Sequence, residues 1–310
     1  MQLRRLKVQA TREVAYESPD HLVPWGTRRD NSRHKRINQK LYQLFGEDRP
    51  PLWVMDLGCS GGGFVKDCLD DGCMAVGLEG SDFSKRLKRA EWRTIPEHLF
   101  TADLTAPFQV SGEFTGGERP LQFDVITNWE VMEHIHERDL PAVVENVKKH
   151  LRPGGLWIMS VALCDDFHNG VNLHQTVKPK TWWVNKLESL GVKCVDEYVN
   201  YFNTQFLRGP KDTCRPGFHL VATLDPQQAP KIPSEPLSYR IYDKWLGSRV
   251  QRLLTCGPQS SSARATARRL LAKCSTPLQS SNPAERKSWS WTAAPATTRC
   301  GRKNSRGRQA

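Results

Sequence analysis

The chain has no apolar run of the ~18–20 residues that a membrane-spanning helix requires. Its nine cysteines include no Cys-x-x-Cys pair; Cys68 and Cys73 stand five apart with no second ligand pair beside them. A zinc site or disulfide framework is therefore not expected, and reduced thiols in the cytoplasm are. The basic start Met1-Gln-Leu-Arg-Arg-Leu-Lys7 leads into no apolar stretch, so no secretory leader is expected. Basic charge is also missing from the middle of the chain. Residues 256–310 carry eleven Lys/Arg and one acid, and residues 1–40 carry ten and four, so the net charge of +12 leaves residues 41–255 mildly acidic. The high isoelectric point describes the two ends, not the core.

What remains is an alternation of strands and helices. Apolar runs at Leu52–Leu57, Met74–Glu79, Leu99–Ala102, Phe123–Thr127 and Leu156–Leu163 read as strands. Helical patterns lie at Ile37–Phe45, Gly62–Leu69, Ser84–Trp92, Asp139–Leu151 and Pro179–Leu190. Phe108–Pro120 reads as an inserted loop or hairpin. Lys193–Tyr201 and Phe218–Leu224 read as two last strands with no helix between them, which predicts an antiparallel pairing at that end. The order predicts an α/β fold with a doubly wound, mainly parallel sheet. After Asp225 the periodicity fades. Residues 226–255 read as a Pro-rich linker and one amphipathic helix, Tyr239–Leu254, and residues 256–310 as a basic, disordered tail poor in aliphatics.

The most informative stretch is Val54-Met-Asp-Leu-Gly-Cys-Ser-Gly-Gly-Gly-Phe64, in which an apolar run ends in an acid and breaks into four glycines before a helix. Such a turn brings backbone N–H groups close to a nucleotide-like ligand. A dinucleotide fingerprint wants Gly-x-Gly-x-x-Gly, and Ser60 stands at its middle glycine. Gly58-Cys-Ser60-Gly-Gly62 matches the hydrolase elbow Gly-x-Ser-x-Gly, but it follows the first strand instead of sitting mid-sheet. The downstream acids favour a third reading. Glu79 closes the second strand in Gly77-Leu-Glu-Gly80-Ser81, Asp103 closes the third in Thr101-Ala-Asp-Leu104, and Asn128 follows the fourth.

With Asp56-Leu-Gly58-Cys59-Ser60-Gly61-Gly62, this order resembles the class I S-adenosylmethionine (SAM)-dependent methyltransferases over residues 52–224. The resemblance implies a Rossmann-like, seven-stranded sheet over residues 51–225, with residues 1–50 as a basic segment and candidate lid. It implies SAM as cofactor, held by Asp56, Gly58, Cys59, Ser60, Gly61, Glu79, Gly80, Ser81, Asp103, Leu104 and Asn128. Glu79 would accept both ribose hydroxyls and Asp103 the adenine amino group. The acceptor expected is a small molecule or sugar-like compound. The basic ends leave an RNA or protein methyltransferase as the second reading, and a SAM-fold protein without catalysis as the third. No oligomeric state follows.

Two histidines are candidate general bases. His134 lies in Glu130-Val-Met-Glu133-His134-Ile-His136, where Glu130 and His134 would share a face if the segment is helical. Metal ligation there is not expected without a third ligand. His174 lies in the polar stretch Asn172-Leu-His-Gln-Thr176 after the fifth strand, over the expected acceptor pocket. Pro24-Trp25-Gly-Thr-Arg28 suits a lid, with Trp25 packing and Arg28 holding a carboxylate.

Overall fold

The computed structural model describes residues 3–46, 51–209 and 216–234. The predicted helix at Tyr239–Leu254 and the tail from Cys256 lie outside the described residues. In chain order the elements are β1 (Leu3–Ala10), α1 (Pro19–Leu22), α2 (Trp25–Arg29), α3 (Lys35–Phe45), β2 (Trp53–Leu57), α4 (Gly63–Asp70), β3 (Met74–Glu79) and α5 (Phe83–Arg86). Next come β4 (Leu99–Thr101), the hairpin β5 (Phe108–Phe114) and β6 (Gly117–Pro120), β7 (Phe123–Trp129), α6 (Leu140–His150) and β8 (Leu151–Ala162). A small hairpin, β9 (Phe167–His168) and β10 (Val171–Asn172), leads to α7 (Lys180–Ser189), β11 (Lys193–Cys194), α8 (Asp196–Phe202) and β12 (Gly217–Thr223).

The central sheet is seven-stranded in the order β11-β12-β8-β7-β2-β3-β4. Pairs from β8 to β4 run parallel, and β12 runs antiparallel to both β8 and β11. Side chains alternate between its faces. Leu57, Leu78, Ile126 and Trp157 point to one apolar cluster with Val144 and Val147 of α6 and Trp183 and Leu187 of α7. Val54, Val125 and Ile158 point to the other, with Ile37 and Leu41 of α3, Phe64 of α4 and Phe202 of α8. Burial on both faces is why these strands read as continuous apolar runs.

Three expectations change. Lys193–Tyr201 is not one strand, since only Lys193–Cys194 pairs with β12 and Asp196–Phe202 is helical. Tyr198, Tyr201 and Phe202, spaced three and four apart, are buried on one face of α8. Ser84–Trp92 breaks into α5 and a separate 3-10 turn at Ala90–Arg93. The basic N-terminus contributes a strand: β1 pairs antiparallel with β5, which places Leu6 opposite Gly112 and Val8 opposite Val110.

Asn146 of α6 ties this second sheet to the main one. Its Nδ2 donates to the carbonyls of Leu104 (3.0 Å) and Ala106 (2.8 Å), and its Oδ1 accepts from Phe108 N. It thus fixes the chain directly after Asp103. Asn146→Ala would strand buried polar groups at a cost of about 2–4 kcal/mol. Urea unfolding should show it as a lower midpoint at unchanged slope; an unchanged midpoint would mean that water replaces the side chain.

Candidate active site

The turn after β2 is built by backbone geometry. Gly58 (φ 75°) and Gly62 (φ 83°) sit in the left-handed region that favours glycine, and Ser60 joins them at φ 47°. A Cβ on Gly58 would run into the side chain of Val131, and one on Gly62 into that of Leu99. Gly58 N (2.8 Å) and Cys59 N (3.0 Å) both donate to Leu78 O, which pins the turn to β3. Ser60 N donates to Glu79 Oε2 at 2.7 Å, and Ser81 N to Oε1 at 3.2 Å. Burial outweighs these two bonds and pushes the Glu79 carboxyl up to about 7. Each of its oxygens keeps a lone pair for a ligand.

A cavity of about 1010 Å³ opens above the turn. Gly58, Ser60, Glu79, Gly80, Ser81, Asp103 and Leu104 line it over β2, β3 and β4, and Glu130, His134, Cys164 and His174 line it over β7 and β8. Asp103 is already well partnered: Thr105 donates to its Oδ1 from N (2.8 Å) and Oγ1 (2.7 Å), and Arg12 Nε lies 2.9 Å from Oδ2.

Four sequence candidates do not line the cavity. Asp56 is buried beneath it, accepts from Thr127 Oγ1 at 2.6 Å, and is pushed by burial to about 8. Cys59 is buried against Gly77, and burial drives its thiol well above the usual range. Gly61 is covered by Asn31 and the Asp30 carbonyl. Asn128 lies inside β7, and not after it, with its Oδ1 accepting from Trp157 Nε1. These residues shape the turn and its floor.

The opposite wall is ionic. Glu130 is held at φ 56°, and its Oε2 accepts from Arg208 Nε at 2.7 Å. Arg208 Nη1 reaches Asp30 Oδ1 at 2.7 Å. Met132–His134 is a 3-10 turn, so Glu130 and His134 do not share a helix face. His134 Nδ1 lies 2.8 Å from Asp20 Oδ2. Burial works against its charge, but the Asp20 carboxylate, with Glu133 and Asp166, prevails and lifts His134 to about 9. His174 is pulled the other way, by burial and by the charge of His134, whose ring meets it edge-on at 4.6 Å. His174 Nδ1 faces the Cys164 carbonyl, which can only accept, so Nδ1 carries the proton and Nε2 a lone pair. At neutral pH His134 is therefore an imidazolium and His174 a neutral imidazole.

Sequence reasoning missed the residues that converge from a distance. Ser60 Oγ donates to the Asp30 carbonyl (3.1 Å) and accepts from Arg89 Nη2 (3.1 Å), while Trp92 Nε1 donates to Ser60 O at 2.7 Å. Among the described residues the Ser60 hydroxyl bonds Thr27 O, Asp30 O and Arg89 and no imidazole, which goes against the hydrolase reading. Trp25 stacks on His168 at 4.3 Å under the Arg29 guanidinium. Arg28 lies over Phe83 instead of a carboxylate, and Arg29 lines the cavity. Asp20, Asp30 and Arg208 sit in unpatterned segments that carry no local signal.

The cavity crosses the carboxyl ends of the strands where their order reverses between β2 and β7, the point at which open α/β sheets bind ligands. A glycine turn, acids ending the next two strands and an antiparallel β12 together define the class I SAM-dependent methyltransferases. The chain belongs to the methyltransferase-domain family, whose model matches residues 29–209. Among curated proteins it is similar to the ubiquinone biosynthesis O-methyltransferase of Thiobacillus denitrificans, with 28% identity over 41% of this chain and 53% of that protein. The corresponding protein of Methylococcus capsulatus is 32% identical over 33% of this chain and 40% of its own length. The chain spans about half or less of the curated relatives it matches. A solved SAM-dependent methyltransferase from Clostridium acetobutylicum is 14% identical, covers 66% of this chain and 96% of its own, and superposes with a TM-score of 0.44. No helix among the described residues is long and apolar enough to cross a membrane.

Proposed function

We propose that this chain transfers a methyl group from SAM to an oxygen or nitrogen of a small-molecule acceptor. The observation that carries the reading is one continuous cavity with a carboxylate-lined half over β3 and β4 and a histidine-lined half over β7 and β8. Its volume of about 1010 Å³ leaves room for a small acceptor beside the cofactor, since single ligand pockets span ~300–1,000 Å³.

The residues fit SAM. The free lone pairs of Glu79 accept the ribose hydroxyls, and Asp103 accepts the adenine amino group where Arg12 now lies against it. Gly58, with no side chain, lets the backbone approach the ligand. When bound, SAM supplies a methyl group already activated by its sulfonium. The chain then has to hold the acceptor atom in line with that methyl, exclude water and take up the acceptor's proton. Asp30, Arg208 and the segment from Arg12 to Arg29 wall the cavity from bulk water, and His174 Nε2 offers the lone pair for the proton. Among the described residues Cys59, Cys68, Cys73 and Cys194 form no disulfide, which suits the reducing cytoplasm.

Calorimetry with SAM and S-adenosylhomocysteine tests the reading, with one site per chain expected; no binding to the wild-type protein would sink it. The pH dependence follows from Glu79. Its ionised form accepts the hydroxyls, and with the free carboxyl at about 7, protonation competes as pH falls. The Kd for SAM should level off above pH 8 and rise toward tenfold per unit below pH 7. A flat profile from pH 6 to 8 would place the ribose elsewhere.

A further inference from the structure

We propose that Arg89 is a positioning residue for the cofactor, acting on Glu79 through the glycine turn that it holds from behind. This role rests on the reading of Glu79 as the ribose partner. Arg89 lies between α5 and β4, at the start of the 3-10 turn Ala90–Arg93, and does not line the cavity.

Its guanidinium ties three parts of the chain together. Nε donates to Ser84 Oγ of α5 at 3.0 Å, and Nη2 donates to the Asp30 carbonyl at 2.6 Å and to Ser60 Oγ at 3.1 Å. The residues that follow grip the same turn: Glu91 N donates to Gly61 O at 2.9 Å, and Trp92 Nε1 to Ser60 O at 2.7 Å. Only glycine fits at Gly61, where a Cβ would come within 2.9 Å of Arg89 Nη2. Ser60 is thus held at its hydroxyl and its carbonyl while its N–H meets Glu79 Oε2 at 2.7 Å.

The backbone on both sides of Arg89 is strained. Lys88 and Ala90 are both at φ 47°, in the left-handed region that side chains disfavour. Such conformations persist where the surroundings over-determine them, and they gather at functional sites. Here they leave Leu87 and Lys88 exposed and turn Arg89 inward, with its own N–H on Ser84 O at 2.9 Å.

The charge has a second effect. Arg89 is half-buried, and among the described residues no carboxylate pairs with it directly; burial pulls its pKa down, while Asp30 and Glu79 support its charge through space. Burial lifts the Glu79 carboxyl to about 7 and Asp20 adds to the rise; the Ser81 and Ser60 N–H groups and the Arg89 charge oppose it. The other groups around Glu79 are Asp56 and Cys59 of the β2 turn, Asp20 and His21 of α1, Asp82 before α5, exposed Lys85, and Asp103 with its partner Arg12. Arg89 therefore favours the accepting form of Glu79 twice, by its charge and by fixing the Ser60 N–H.

SAM is titrated calorimetrically from pH 6 to 9 into the full wild-type chain, Arg89→Met, Arg89→Lys and a control, Arg86→Met, whose exposed arginine pairs with Asp82 at 3.0 Å. Arg89→Met should weaken binding ~10-fold or more at pH 7 and shift the rise in Kd to higher pH, because Glu79 loses a nearby cation. Arg89→Lys keeps the charge but not the fork, so binding should weaken severalfold with the rise left in place. Arg86→Met should change neither quantity. Should Arg89→Met fail to fold, Arg89→Gln, which can still donate to the Asp30 carbonyl, reads the same loss of charge. Wild-type affinity and pH dependence in the neutral variant would overturn the proposal. So would an equal loss at every pH in the neutral and lysine variants, which would leave Arg89 a structural tie alone. A wild-type chain that binds no SAM would instead sink the cofactor reading on which the role rests. Hydrogen exchange in the free proteins separates the two failures: without Arg89, the Ser60–Gly62 amides should exchange ~10-fold or more faster, and unchanged exchange would show that Arg89 does not hold the turn.

Discussion

Glu79→Ala is expected to weaken SAM binding by ~10²–10³-fold. Glu79 lies where β3 ends at the cavity, and its two oxygens each accept one backbone N–H, from Ser60 and from Ser81. Two hydroxyl bonds to an ionised carboxylate contribute about 1.5–3 kcal/mol each. At 1.4 kcal/mol per decade, the lower end of that range already gives the stated loss. The effect on the turn adds to it, because alanine leaves the Ser60 and Ser81 N–H groups without their acceptor. Glu79→Gln keeps one accepting oxygen but sets an amide donor against a donor, so an intermediate loss is expected. Folding should survive both changes, since the cost of burying the ionised carboxylate, which pushes it up to about 7, offsets part of what its bonds to Ser60 N and Ser81 N contribute. The sign follows: a folded-state pKa above the unfolded value means that this group's contribution falls as pH rises through 7. Thermal unfolding should therefore show the variants' deficit against the parent shrinking as pH rises from 5 to 8. A Kd within threefold of the parent for Glu79→Ala would refute the cofactor placement.

The sheet was legible because of how it is buried. Strands covered on both faces become uninterrupted apolar runs, and two of them lead into an acid at the cavity edge: Glu79 ends β3 and Asp103 follows β4. β1 escaped because Arg4, Arg5 and Lys7 interrupt it, although Leu6, Val8 and Ala10 keep the alternation of a strand. α8 was misread for the opposite reason. Val195, Tyr198, Val199, Tyr201 and Phe202 have strand-like composition, and only their three- and four-residue spacing marks a helix.

The site divides along the same line. Its proposed cofactor half is local, since Glu79 ends β3, Asp103 follows β4, and each carries its own signal. Ser60 shows where locality stops. As a bare substitution for glycine it reads as tolerated, and its N–H does serve Glu79. Its hydroxyl, however, fastens the turn to Asp30 and Arg89, residues about 30 positions away on either side. The acceptor half is assembled almost wholly in this way. Asp20, Asp30, Glu130, His134, His174 and Arg208 meet only because the N-terminal segment, the β8–α7 connection and the stretch after α8 reach the same strand ends.

His174→Ala is expected to lower kcat by ~10²–10⁴-fold, the range for loss of a positioned acid–base group, with the Kd for SAM within about twofold of the parent. The geometry separates the two quantities. His174 lines the cavity after β8, whereas Glu79 and Asp103, the proposed ribose and adenine partners, lie at the end of β3 and just after β4. His134 cannot stand in as a base, because the Asp20 carboxylate keeps it protonated until about pH 9. Removing His174 also removes the edge-on neighbour of that imidazolium, so acceptor KM can change while cofactor affinity does not. Equal losses in kcat and in SAM affinity on His174→Ala would instead make this residue part of the cofactor wall.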